Sequence, residues 1–233
     1  MNTAYPRIAV IHHLQQPFLG NAAAPLGAVT EYFGGELPQL DSTDAIVSFG
    51  GEKSAWDPEF APEVELIREA VAREIPFLGV CLGAQLLAHA CGGEVSRLER
   101  RLIDWAPISV LDPADPVLGQ IPPGGHALHW NEDGIEPPSG AVEVLARPRG
   151  SRAEGFRIGR LAWGVQFHPE VDAVALDGWY ANWGELLEPA GKTVAGALQA
   201  DARHLPGQAA LSTAIFGAFA RLVRTRPAPS APA

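Results

Sequence analysis

Two short segments carry residues whose types and spacing suit covalent chemistry. In the first, the apolar run Pro76-Phe77-Leu78-Gly79-Val80 ends at Cys81 and continues as Leu82-Gly83-Ala84-Gln85-Leu86-Leu87-Ala88, a strand signal running directly into a helix signal. Cys81 lies between Gly79 and Gly83, the G-x-C-x-G form of a nucleophile elbow, in which small neighbours let the backbone turn sharply and present one strained side chain. At a helix N-terminus, unpaired backbone N–H groups and the positive end of the helix dipole both favour the thiolate, the reactive form of cysteine. The second segment, Gly164-Val165-Gln166-Phe167-His168-Pro169-Glu170, supplies a base. Extended residues two apart project to the same side, so His168 and Glu170 can lie together, and Pro169 pushes His168 out of the helical region. The arrangement expected is Cys81 activated by His168, with Glu170 holding the imidazole tautomer and stabilising the imidazolium.

These residues need a scaffold that brings position 81 to position 168. Arg7-Ile8-Ala9-Val10-Ile11 has the composition of a buried strand, and Ala45 to Phe49 of a second. Pro62 suits a first helical turn and is followed by Val64, Ile67 and Val71 at helical spacing; Ile75-Pro76 then ends the helix and starts the elbow strand. Strand, helix, strand in this order is a right-handed crossover unit with its functional residues at the carboxyl ends of the strands, where Gly50-Gly51 and Cys81 both fall. Trp105 to Leu111 and Val142 to Ala146 have strand patterns, and Arg157 to Phe167 a hairpin-like pair leading to His168. Trp179, Tyr180 and Trp183 suit a helix between Asp172 and Pro206, and Leu211, Ile215, Phe219 and Leu222 one face of a terminal helix over Gln208 to Arg224. The fold class expected is α/β: a three-layer, flavodoxin-like or Rossmann-like open sheet, mostly parallel, with the elbow at its centre. Residues 1–224 form one domain in this reading, and the Pro/Ala-rich 225–233 a disordered tail.

Composition narrows the function. With 233 residues, nearly half of them apolar, the chain can bury a full core. A formal charge of −10 argues against a nucleic-acid binder, which needs clustered Lys and Arg. There is no basic-then-apolar leader and no apolar run of membrane-spanning length, so a cytoplasmic protein is expected. The two cysteines, Cys81 and Cys91, would lie roughly 15 Å apart along a helix, too far for a disulfide; both are expected free, with Cys91 buried at the helix end.

Other motifs favour structural readings. Gly191-Lys192-Thr193 resembles the end of a phosphate-binding loop, but Leu186 stands where the earlier glycine is needed and no strand precedes it. His12 and His13 point in opposite directions on extended backbone, which suits surface or rim placement rather than a shared metal. His126 and His129 have metal-pair spacing without a third ligand, and are assigned to core or pocket lining. No metal or cofactor is expected. Trp163, Trp179 and Trp183 are expected in the core.

Taken together, these segments resemble class I glutamine amidotransferases, the glutaminase domain of GMP synthetase among them. Ala45-Ile46-Val47-Ser48-Phe49-Gly50-Gly51, the elbow from Pro76 to Gly93, Asp104-Trp105-Ala106-Pro107-Ile108 and Gly164 to Glu170 carry the resemblance, which extends from about Arg7 to Val171. It implies glutamine hydrolysis through a Cys81 γ-glutamyl thioester, with oxyanion-hole backbone donors at Gly51 and Leu82, glutamine bound by Gln85, and ammonia delivered to a separate synthetase. Two departures stand out. Where relatives often have His-Gly-Asp, this chain has His129-Trp130-Asn131-Glu132-Asp133, which keeps Asp133 as the partner for the substrate ammonium but puts Asn131 and Glu132 in place of the histidine and glycine, so that the pocket wall, to which Trp130 and Asn131 are assigned as substrate-binding residues, differs in size and charge. Glu154-Gly155-Phe156-Arg157 stands where relatives tend to have Gln-Ala-Phe-Arg. The second hypothesis is therefore a γ-glutamyl hydrolase or transferase acting on N-substituted γ-glutamyl amides with the same triad. A third, a binding module that keeps only the fold, is opposed by the intact Cys81, His168 and Glu170.

Overall fold

The computed structural model describes residues 6–146 and 153–226. Five parallel strands form its centre: β1 (Ile8–Ile11), β2 (Val29–Tyr32), β3 (Ala45–Ser48), β4 (Phe77–Val80) and β9 (Ala162–Val165), in the order β2-β1-β3-β4-β9. This is the 2-1-3-4-5 order of flavodoxin-like sheets. Two antiparallel strands, β8 (Gly155–Ile158) and β7 (Val142–Leu145), extend it beyond β9. A separate antiparallel ribbon pairs β5 (Glu94–Pro107) with β6 (His126–Glu136).

The continuous apolar runs have their cause in this architecture, since parallel strands with both faces covered need apolar residues at every position. Every residue of β1, β3, β4 and β9 except Ser48 and the glycines is a buried apolar side chain. Ile8 and Val10 face one core with helix α6 (Gln208–Thr225), while Ala9 and Ile11 face another with α2 (Ala61–Ala72) and α3 (Leu82–Ala90). Short α1 (Ala23–Leu26) packs on α6. The expected three-layer α/β sheet is present.

Several local expectations need correction. The strand placed at Trp105–Leu111 ends at Pro107 and begins much earlier, at Glu94, because it belongs to the two-stranded ribbon rather than the main sheet. The segment between Asp172 and Pro206 holds two helices, α4 (Ala173–Trp183) and α5 (Val194–His204). The Thr193 hydroxyl caps α5 by accepting from Gly196 N at 3.1 Å, giving the Gly191-Lys192-Thr193 motif a structural role. Leu222 is half-buried and Val223 takes the buried position at the end of α6. Cys81 and Cys91 are both free, but Cys91 is half-buried, not buried. Of the tail expected at 225–233, Thr225 ends α6, and residues 227–233 lie outside the described segments. Among the described residues, no helix is long and apolar enough to cross a membrane.

Candidate active site

The elbow is strained as its sequence requires. Cys81 sits at the N-terminus of α3 with φ 51° and ψ −107°, outside the regions L-residues ordinarily occupy. Close packing of backbone makes the turn possible: a Cβ on Gly79 would lie 2.4 Å from Gly83 O, and one on Gly83 only 2.0 Å from Ser48 O. Cys81 N donates to Val165 O at 2.8 Å, which ties the elbow to β9, the strand leading to His168.

Beyond β9 the chain stays extended, with His168 N bonded to Leu128 O of β6 at 2.9 Å. His168 Nδ1 meets Glu170 Oε1 at 2.8 Å, and both side chains are almost fully buried. A Cβ on Gly50 would lie 2.9 Å from His168 Cε1 and 3.4 Å from Cys81 Cβ, so the imidazole and the cysteine flank the same glycine. Burial alone would lower the His168 pKa, but the charge of Glu170, then that of Cys81, outweighs it and holds the imidazole protonated up to about 10. The loop at Gly20 braces the acid: Asn21 N donates to Glu170 O at 2.8 Å, and Asn21 Nδ2 to Val171 O at 2.7 Å.

A cavity of about 250 Å³ opens above Cys81 and is lined by all the sequence-expected residues except Leu82, whose side chain is buried beneath it. Gln85 Nε2 donates to Asp133 O at 3.3 Å and to Gln166 Oε1 at 3.4 Å. Asn131 Nδ2 donates to Asp133 O at 2.9 Å, leaving its Oδ1 buried without a partner among the described residues. The Asp133 carboxylate accepts from Ser54 Oγ at 2.7 Å and pairs with Arg97 Nε at 3.1 Å; burial nevertheless raises its pKa. Glu132, also on the cavity wall, pairs with Arg97 and Arg101. Trp130 packs against Trp179 and Tyr180.

Four residues at this site are not marked by the sequence as site residues, Trp179 being expected only in the core. Gln166 Nε2 points at Cys81 Sγ at 3.6 Å, and its spacing of two from His168 is the signal that places it on the same side. Trp179 stands edge-on to His168 with centroids 4.8 Å apart, and Gln208 Nε2 holds His168 O at 2.9 Å. The fourth is Glu63. His12 and His13, expected at the surface or rim, are both buried side chains pointing apart, as alternation requires. His12 pairs with Glu31, and burial lowers its pKa. His13 lines the cavity, donating from Nδ1 to Phe49 O at 2.9 Å, with Nε2 2.8 Å from Glu63 Oε2. Ser48 Oγ donates to the other Glu63 oxygen at 2.9 Å. Burial disfavours charge on His13, but Glu63 and the Phe49 carbonyl outweigh it and raise its pKa. Phe49 O also accepts from Gly83 N at 3.1 Å, so this network joins the Gly50-Gly51 turn to the start of α3.

The remaining histidines and tryptophans are structural. His129 is buried against Glu154 at 2.6 Å, and His126 stacks on His204. Trp163 and Trp179 are buried as expected, whereas Trp183 is half-buried at the cavity edge. Among the described residues, no cluster of His, Cys, Asp and Glu could hold a metal ion.

A cysteine on a parallel strand-to-helix elbow, beside a buried His–Glu pair on the next strand, defines a class of α/β proteins. The family model for glutamine amidotransferase class-I matches residues 32–180, and the chain belongs to that family. It is 33% identical over 137 residues to the GMP synthase (glutamine-hydrolyzing) of Cytophaga hutchinsonii, covering 58% of this chain and 26% of that protein. Against a subunit of the GMP synthase (glutamine-hydrolyzing) of Sulfolobus acidocaldarius, identity is 30% over 141 residues, 58% of this chain and 71% of that protein. The chain thus spans about a quarter of the length of the first curated relatives, and most of the Sulfolobus subunit. Its fold superposes on a glutamine amidotransferase from Thermotoga maritima with a TM-score of 0.81 and 25% identity, covering 94% of this chain and 99% of that one.

Proposed function

We propose that this chain hydrolyses the side-chain amide of glutamine through a Cys81 γ-glutamyl thioester and delivers the ammonia to a separate acceptor enzyme. The observation that carries the reading is the strained Cys81 elbow facing a buried His168 whose far nitrogen is fixed by Glu170. The Cys81 thiolate attacks the amide carbon, and the oxyanion is received by backbone N–H groups of Gly51 and Leu82. His168 Nε2 gives its proton to the departing nitrogen, then takes one from the water that cleaves the thioester and releases glutamate. Gln166 Nε2, in reach of the sulfur, steadies the thiolate between turnovers. Gln85, Asn131 and Asp133 define the end of the cavity that holds the amino-acid group, with Trp130 as its wall. The similarity to the Sulfolobus GMP synthase subunit supports a synthetase as acceptor. A reducing, cytoplasmic setting agrees with two free cysteines, and residues 1–224 act as one unit.

The experiment is glutamate release by wild type and Cys81→Ala, together with mass analysis after exposure to a glutamine-like electrophile. Turnover and a single adduct, both lost in the variant, are expected; turnover that survives the substitution would sink the reading. A second reading, hydrolysis of N-substituted γ-glutamyl amides, is favoured by one observation: a second space, lined in part by the same Phe18, Trp179 and Trp183, lies beside the cavity.

A further inference from the structure

The Cys81 mechanism needs a Gly51 N–H that points at the oxyanion before charge develops there, because a donor that must first reorient loses much of its effect. The local sequence does not supply that order. Only glycine fits at either position of the turn: a Cβ on Gly50 would lie 2.9 Å from His168 Cε1, and one on Gly51 2.6 Å from His13 Cβ and 2.8 Å from Leu82 Cδ2. Two successive glycines have little conformational preference of their own, so the direction of the donor has to be fixed from outside.

Phe49, the residue before the turn, is held at both of its backbone groups. Its N donates to Ile11 O at 3.0 Å, and its O accepts from Gly83 N at 3.1 Å and from His13 Nδ1 at 2.9 Å. The first two bonds are made by main chain, whereas the third depends on how the imidazole is aimed. Glu63 Oε2 aims it from 2.8 Å at the far nitrogen, and Phe60 stands edge-on to the ring at 5.4 Å. Glu63 is fixed in turn by Ser48 Oγ on its other oxygen, and it sits in the first turn of α2, where free N–H groups favour a carboxylate. The His13 and Glu63 side chains are both almost wholly out of solvent, so water does not loosen the pair.

We propose that His13 and Glu63 are positioning residues for the oxyanion hole: the imidazole holds Phe49 O so that the turn after it presents the Gly51 N–H to the reacting carbonyl, and Glu63 holds the imidazole. The inference rests on the Cys81 mechanism and adds to it what keeps the donor in place. Both residues act through the backbone. The two ring nitrogens can be tested one at a time, because an asparagine amide nitrogen lies as many bonds from Cα as Nδ1 does, and a glutamine amide nitrogen as many as Nε2. His13→Gln therefore keeps a donor to Glu63 and loses the one to Phe49 O. His13→Asn keeps the donor to Phe49 O and leaves Glu63 with Ser48 alone.

The experiment compares glutamate release from glutamine with urea unfolding for the purified wild type and both variants, and activity and stability should rank them in opposite orders. In His13→Gln, kcat should fall by about 10–100-fold, the range for a catalytic group displaced by up to about 1 Å, with KM within about twofold. His13→Asn should recover most of that kcat yet unfold at the lower urea midpoint of the two, since it leaves a buried carboxylate short of a partner. Should His13→Gln fail to fold, Glu63→Leu and Glu63→Gln read the same quantity: kcat should fall by about tenfold or more in the first and be rescued in the second, which keeps every bond. A kcat that follows the urea midpoint, an unchanged kcat in His13→Gln, or equal kcat in the two Glu63 variants overturns the positioning role; release that still depends on Cys81 then leaves the Cys81 mechanism standing. No Cys81-dependent release by the wild type overturns both.

Discussion

Replacing Glu63 by glutamine should convert a buried cation into a neutral relay, with a cost that depends on pH. In the native protein, Glu63 accepts from Ser48 Oγ at 2.9 Å and faces His13 Nε2 at 2.8 Å, while His13 Nδ1 donates to Phe49 O. A carbonyl and a carboxylate both accept, so both ring nitrogens carry protons and His13 is an imidazolium. In Glu63→Gln, the amide oxygen can still take the Ser48 proton and the amide nitrogen can donate to His13 Nε2, provided that nitrogen has lost its own proton. All hydrogen bonds survive, but the charge-assisted one becomes neutral, a difference of about 1–2 kcal/mol. At roughly 2–4 °C per kcal/mol for a chain of this size, the midpoint of thermal unfolding should fall by about 2–8 °C. The sign with pH follows from the raised His13 pKa. Stability from this pair is fully present below the unfolded histidine value of about 6.5 and is lost as pH rises through the folded value. Urea unfolding of wild type and variant, followed upward from about pH 5.5, should therefore show the full deficit at the lowest pH and a shrinking one as the solution becomes alkaline. A deficit that does not shrink as His13 loses its proton would refute a buried imidazolium at position 13.

Other outcomes test the reacting groups and the elbow. Cys81→Ala should lower glutamate release by about a thousandfold or more without loss of secondary structure in circular dichroism. Because Glu170, followed by Cys81, holds His168 protonated against burial up to about 10, kcat/KM should stay level from neutrality and fall only as pH rises through that value. In Glu170→Gln the same alkaline limb should move toward neutrality, and an unmoved limb would remove Glu170 from the His168 environment. Gly83→Ala forces a Cβ to within 2.0 Å of Ser48 O and should cost about 3 kcal/mol, read as a lowered urea midpoint.

The parts of this molecule legible in its sequence are those specified by local pattern. Fully buried parallel strands need unbroken apolar runs, so β1, β3 and β4 were readable, and the Gly79–Cys81–Gly83 spacing announces a backbone turn that few other residues allow. His168 and Glu170 were readable for the same reason, a period of two. Strand β2 was not, because it is an edge strand whose Thr30 and Glu31 are exposed and which lacks an apolar run. The early start of β5 was hidden because a ribbon outside the main sheet need not be apolar on both faces. The burial of His12 and His13 could not be read either: each depends on a carboxylate far along the chain, Glu31 and Glu63, and nothing local marks such pairs.

The division between the main sheet and the β5–β6 ribbon has an evolutionary consequence. Cys81, His168 and Glu170 hang from strands that share one core, whereas Trp130, Asn131 and Asp133 belong to a ribbon paired only with itself among the described strands. Drift in the ribbon can reshape what enters the cavity without disturbing the register of the strands that hold the nucleophile. Asn131 and Glu132, where the sequence departs from the expected His-Gly-Asp pattern, lie in this ribbon. One backbone contact limits that freedom: Leu128 O of β6 accepts from His168 N at 2.9 Å, so the ribbon's side chains can be rewritten only while its path beside the catalytic histidine stays fixed.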